Sequence, residues 1–160
     1  MTNSNGLSAS EPQKPSNRTL ILFGAIAFIG FLDSAYLTAT HYAGSALSCG
    51  FFTGCEQVTS SAYSEVFGIP IALFGSLYYL FWICAAIFYY DTRSHLFFRA
   101  LPFAILGFIA SLGLMGIQIF ILDAICLYCV ISATSSTLIF IIAYAMRGAR
   151  RSLTQPRLAL

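Results

Sequence analysis

The sequence predicts an all-α integral membrane protein, a four-transmembrane-helix bundle with an outward cysteine-containing loop and a short interfacial helix. Composition gives the first observation. Of 160 residues, 58% are hydrophobic and only 9% charged, with a mean hydropathy of +0.80, which is far too apolar for a soluble domain of this size. The second is a set of four apolar stretches, roughly 20–41, 69–90, 100–122 and 124–146, each able to supply the ~20 residues a helix needs to cross a ~30 Å hydrocarbon core. The third is where the Lys and Arg residues fall. Lys14 and Arg18 precede the first stretch, Arg93 and Arg99 lie between the second and third, and Arg147, Arg150, Arg151 and Arg157 follow the fourth. The positive-inside rule makes those segments and both termini cytoplasmic, and sets the 42–68 segment and a turn at Asp123 outside. A formal charge of +2, with no basic stripe, leaves no footprint for nucleic acid.

Each element follows in order. Residues 1–18, rich in Ser, Asn and Pro, bury too little surface to offset ordering and read as a disordered cytoplasmic tail. The membrane domain then occupies 19–146. Its first span is long and ends near Tyr36 and Tyr42, which favours a retained helix over a cleaved signal. Asp33, near the middle of that span, is costly in lipid and belongs in the bundle interior or against water. The segment from Cys49 to Cys55 is too short and too glycine-punctuated for helix or strand. Residues 57–67 space Val58, Val66 and Phe67 like an amphipathic helix lying on the membrane. Pro70 sits in the first turn of the second span, where its missing N–H costs nothing. The lone Cys84 of that span reads as a buried small hydrophobe. Asp123 is expected to cap the fourth helix, leaving Cys126 at its third position. Residues 147–160 form a basic cytoplasmic tail.

Chemistry enters with Cys126-Leu127-Tyr128-Cys129. Thiols spaced i, i+3 on a helix share a face and reach disulfide distance. A second pair, Cys49 and Cys55, lies at the same outer surface, where disulfides form and persist. Disulfide exchange runs through a mixed disulfide, so a relay needs one pair that reaches a protein and one that reaches the final acceptor. The loop pair suits the first task, with Cys49 meeting the partner; Cys129, one helical turn deeper than Cys126, suits the second. A helix N-terminus favours the Cys126 thiolate, whereas Glu56 disfavours one at Cys55. His41, at the outer end of the first span, reads as an interfacial residue.

Cys49, Cys55, the Ser60-Ser61 pair, Gly68-Ile69-Pro70 followed by Phe74-Gly75, and the Cys-x-x-Cys of the last span occur in an order and spacing that resemble the vitamin K epoxide reductase family, its bacterial members above all. The resemblance covers roughly 19–146. It implies a four-helix bundle around a quinone pocket at the outer membrane surface, coupled to a thioredoxin-like partner. It also implies that Cys55 engages Cys126, that Cys129 faces the quinone, and that Ser61 donates a hydrogen bond to a quinone carbonyl. Many bacterial members carry the partner fused at the C-terminus. Here a short basic tail follows Met146, so a separate DsbA-like protein is expected. The implied function is a thiol oxidoreductase of the bacterial inner membrane that passes electrons from that protein to ubiquinone or menaquinone and so supports disulfide formation.

Other readings predict different behaviour. Four outward thiolates can bind a soft metal, yet no His or Met clusters with them and the 49–55 spacing suits a tetrahedral site poorly, so no metal is expected. A structural tetraspan with inert disulfides would ignore quinone. A quinone-linked disulfide generator of the DsbB type shares the chemistry and differs in chain order.

Overall fold

The computed structural model of the protein describes residues 16–44, 54–92 and 96–154. Along the chain these form α1 (Asn17–Ala43), α2 (Gly54–Thr59), a 3-10 turn (Ala62–Ser64), β1 (Glu65–Val66), β2 (Ile69–Pro70), α3 (Ile71–Thr92), α4 (Leu96–Ala100), a second 3-10 turn (Leu101–Phe103), α5 (Ala104–Phe120) and α6 (Leu127–Thr154). Four helical segments are long and apolar enough to cross a membrane: Asn17–Ala43, Ile71–Thr92, Phe97–Phe120 and Leu127–Gly148. The expected helical, four-span architecture is therefore the one observed. Helix α1 packs on α3 and α6, and α5 packs on α6.

Packing follows from spacing. Leu20, Phe23, Ala27, Gly30, Asp33 and Ser34 are the buried residues of α1, recurring every three or four positions along one stripe. Ile21, Phe28, Ile29 and Leu32 on its other faces are about half exposed, as a helix surrounded by lipid requires. Where α1 begins and α6 ends, the core is aromatic. Phe23 and Trp82 are fully buried and meet edge to face with centroids 5.4 Å apart; Phe97 lies 5.8 Å from Phe23 and 4.9 Å from Tyr89. Leu101, Ala104, Ile139, Ala143 and Met146 complete this cluster. Further along the bundle, two adjacent tyrosines of α3 reach opposite neighbours. The Tyr79 ring lies over Gly30 of α1 and the end of the Tyr78 ring over Gly107 of α5, too close for any Cβ at either glycine. The Tyr79 hydroxyl donates to the Ser132 carbonyl of α6 at 2.6 Å.

The boundaries differ from expectation in specific ways. Helix α3 starts at Ile71, not Ile69: Ile69 and Pro70 pair antiparallel with Val66 and Glu65, so Pro70 ends a strand and precedes the helix. The turn between these strands carries Phe67 at φ 54 and Gly68 at φ 77. This left-handed pair suits a tight hairpin and breaks the amphipathic helix expected over 57–67. That helix is instead short and begins earlier, at Gly54. The third span is interrupted by the 3-10 turn at Leu101–Phe103, because Pro102 has no N–H to donate to the α-helical ladder. Helix α6 continues to Thr154, through part of the stretch read as a tail. Cys84 faces outward from α3 and is exposed; a small apolar thiol is as compatible with lipid as with the core.

Candidate active site

The site is built on the reversal between α5 and α6. Asp123 has φ 46, a left-handed conformation that turns the chain, and the Ala124 N–H donates to the Gln118 carbonyl at 3.1 Å. Residues 123–126 are not helical. The expectation that Asp123 caps α6 is thus corrected, and the cap is Cys126. Its carbonyl accepts the first helical bond, from Val130 N–H at 3.1 Å, and α6 begins one residue later at Leu127. Cys126 therefore stands outside the first turn that it was expected to occupy. The physical reason is the contact made by the preceding residue. A Cβ on Gly54 would lie 2.7 Å from the Ile125 carbonyl oxygen and 2.8 Å from its nitrogen, so the backbone of α2 rests directly on that of Ile125. Glycine at 54 serves close approach as well as turning.

Seated this way, α2 brings Cys55 against Cys126. Cys55, Val58, Ala124 and Cys126 form one buried cluster, with Leu37, Leu122, Tyr128 and Cys129 packed against it. Gln57 Nε2 donates to the Leu122 carbonyl at 3.0 Å and ties the end of the reversal to α2. The Tyr128 ring lies 5.2 Å from that of Tyr36 on α1. Cys55 is disulfide-bonded, whereas Cys126 and Cys129 are free thiols. Cys49 lies outside the described residues.

The cap position activates Cys126. Its thiol is lowered from the ordinary 9.0 to about 7, chiefly because the Cys129 thiol donates to its sulfur; burial opposes this, and the backbone N–H groups of Cys129 and Tyr128 add to it. Those N–H groups belong to the second and third residues of α6, the donors that a cap side chain satisfies. A sulfur in the place usually taken by a Ser or Asp oxygen gains their stabilisation for its anionic form.

Beside this pair the bundle opens into a cavity of about 640 Å³ lined by α1, α2, the hairpin, α3, α5 and α6. Cys129 is in its wall, and Cys126 is not. Ser61 is also in the wall, its hydroxyl donating to the Val58 carbonyl at 2.7 Å. At the hairpin side, His41 Nε2 lies 3.3 Å from a Glu65 carboxylate oxygen, so His41 is tied to the hairpin beyond being interfacial. Asp33 is buried in the bundle, its Oδ2 without a hydrogen-bond partner.

The family model for the vitamin K epoxide reductase family matches residues 21–144. The chain belongs to this family. Compared with curated proteins one by one, it finds no match. Members of the vitamin K epoxide reductase family are membrane thiol–disulfide oxidoreductases that use a quinone as electron carrier and generally work with thioredoxin-like partners. The thiol end of this bundle has the parts such chemistry needs. Cys55 and Cys126 share a buried cluster, and Cys129 lies in the cavity wall. Among the described residues, no group of three His, Cys, Asp or Glu side chains converges to hold a metal. One residue of this site was not visible in the sequence. Gln118, 2% exposed, accepts the Cys126 N–H on its side-chain oxygen at 2.9 Å; its only signal was an uncharged amide inside an apolar stretch, eight residues before a cysteine.

Proposed function

We propose that this protein is a quinone-dependent, disulfide-generating oxidoreductase in which electrons pass from a reduced thioredoxin-like protein to Cys49/Cys55, then to Cys126/Cys129, then to a membrane quinone. The observation that carries this reading is the position of the pair between two different surroundings. Cys126 lies buried against disulfide-bonded Cys55, and Cys129 lies in the wall of a cavity of about 640 Å³, the size of pocket that holds a small organic ligand.

A dithiol on the partner opens the loop disulfide by thiolate attack on Cys49 and leaves as a disulfide. The Cys55 thiolate attacks Cys126 of an oxidised Cys126–Cys129 pair and releases Cys129. Cys49 then attacks Cys55, restoring the loop disulfide and freeing the Cys126 thiolate that the helix cap stabilises. The state observed, a disulfide at Cys55 and two thiols at 126 and 129, follows this step and precedes reoxidation. Cavity residues fit a quinone: an apolar wall that includes Leu114, Ile117 and Phe74, with Cys129, Gln118 and Ser61 as polar groups. When bound there, a quinone supplies the sink for the two electrons and two protons that closing the Cys126–Cys129 disulfide releases. Cys129 would present its sulfur to that group, and Ser61, whose hydroxyl now donates to the Val58 carbonyl, would hold a carbonyl of it.

The protein works in a bacterial inner membrane with both termini cytoplasmic and the thiol end outward, in the orientation set by the basic residues, and a separate DsbA-like protein is the donor. Residues 19–146 make up the catalytic domain. The test compares quinone reduction with a reduced thioredoxin-like protein and with a small dithiol. Cys49→Ala and Cys55→Ala should lose the protein-driven rate and keep much of the other, because a folded donor cannot insert between helices. Normal quinone reduction by Cys129→Ala with either donor would remove Cys129 from its role.

A further inference from the structure

The start of α6 is a choice between two caps, and the choice decides what Cys126 can do. Asp123 has the side chain and spacing of a good cap, and a helix starting there would carry Cys126 into its first turn. The observed helix starts at Leu127, so the Cys126 N–H faces a buried environment with no helical acceptor. An unmet buried donor is costly. Gln118 meets it. Its side-chain oxygen lies 2.9 Å from the Cys126 nitrogen, in a fully buried contact across eight residues. Its own carbonyl holds the Ala124 N–H at 3.1 Å. One residue at the end of α5 thus fixes both ends of the segment 124–126 in the non-helical form.

Resting on the relay above, we propose that Gln118 is a positioning residue that selects the Cys126-capped start of α6 and thereby makes Cys126 the sulfur that exchanges with Cys55. Without the Gln118 acceptor, the segment gains by winding into the helix capped at Asp123. That movement takes the Ile125 backbone away from Gly54 and the Cys126 sulfur away from the N–H groups of Tyr128 and Cys129.

The experiment uses the full chain in detergent or lipid. Gln118→Leu keeps the side chain's size and removes the acceptor; Gln118→Glu keeps an acceptor. In a Cys49→Ala background, the Cys55–Cys126 linkage is quantified by peptide mapping, and in the otherwise native chain turnover with a thioredoxin-like donor is measured. Gln118→Leu should lower linkage and turnover by about tenfold, the scale of one unmet buried donor, and move the pH midpoint of Cys126 modification upward. Adding Asp123→Gly, which tolerates the left-handed turn and deletes the competing cap, should recover much of the linkage. Gln118→Glu should retain more linkage than Gln118→Leu. Wild-type linkage and midpoint in Gln118→Leu would overturn the proposal, as would equal loss in the Glu and Leu variants, which also serves if the Leu variant folds poorly. If Cys126→Ala still reduced quinone, the relay reading itself would fail; if only the Gln118 results failed, the relay would stand.

Discussion

The two ends of this bundle are built on opposite principles. At one end Phe23, Trp82 and Phe97 meet edge to face, with Tyr89 packed on Phe97; at the other a cavity of about 640 Å³ sits beside a small cluster of buried residues, Cys55, Val58, Ala124 and Cys126. Helices in lipid associate through packing, since the surrounding tails are as apolar as their own side chains. The aromatic end supplies that packing. The thiol end is thereby free to be hollow, polar in places and capped by short, irregular pieces. Packing and the proposed chemistry are separated along the length of the bundle.

Mutations at the two ends should therefore fail in different ways. The largest effect belongs to the thiol pair: Cys126→Ala and Cys129→Ala should reduce quinone reduction to background with either donor, with little change in thermal midpoint, as read by a quinone-absorbance assay beside a thermal scan. Trp82→Ala should do the reverse. Losing a fully buried ring should cost about 3–5 kcal/mol, seen in the thermal midpoint, while the activity of the surviving folded protein stays near normal. Leu114→Ala, in the cavity wall, should cost under about 1 kcal/mol because empty space is already there; a cost equal to that of Trp82→Ala would erase the distinction between the ends.

Gly54→Ala probes the seam between α2 and the reversal. Its Cβ would meet backbone atoms of Ile125 at 2.7 and 2.8 Å, so α2 must lift by several tenths of an ångström, at a cost of about 1–3 kcal/mol. Turnover with a protein donor should fall more than turnover with a small dithiol. A smaller effect is expected in pH dependence. With the Cys126 thiol lowered to about 7 from 9.0, its modification by a small thiosulfonate should rise with pH and level off above about 7. Cys129→Ala removes the main cause of the lowering, so the midpoint should move up toward the ordinary value; mass spectrometry of the labelled peptide reads both. Smallest of all, His41→Ala removes a partly exposed contact with Glu65 and should shift stability by no more than about 1 kcal/mol.

The same division explains what the sequence revealed. Apolar runs long enough to span lipid announce themselves, because nothing else in the chain competes with that signal, and the cysteine pairs are visible as spacing. The seam is not. Asp123 has every local mark of a cap, and it loses to contacts made on the segment 124–126 by Gln118 and by Gly54, the latter 71 residues from Ile125 in the chain. Gln118 belongs to no motif and matters only once the chain has turned back on it. Val66 and Phe67 look helical in an amphipathic pattern, yet Phe67 and Gly68 adopt φ 54 and 77 and make a hairpin. Misread positions are those decided by contacts across the fold.

The tyrosines at 78 and 79 carry a mechanical consequence. Each ring occupies the space that a side chain would fill on the facing helix, over Gly107 and Gly30 respectively. Sliding α3 by one residue, about 1.5 Å, or turning it by a fraction of a turn would move each ring off the glycine that makes room for it. α3 is keyed to both neighbours like a shaft in a slot, and the spanning frame has no soft coordinate there. In the relay proposed above, the motion that joins Cys55 to Cys126 and parts them again then falls to α2, the hairpin and the segment 121–126. The activation barrier for exchange should therefore be insensitive to bilayer thickness and lateral pressure, which act on the frame, and sensitive to whatever stiffens those outer pieces.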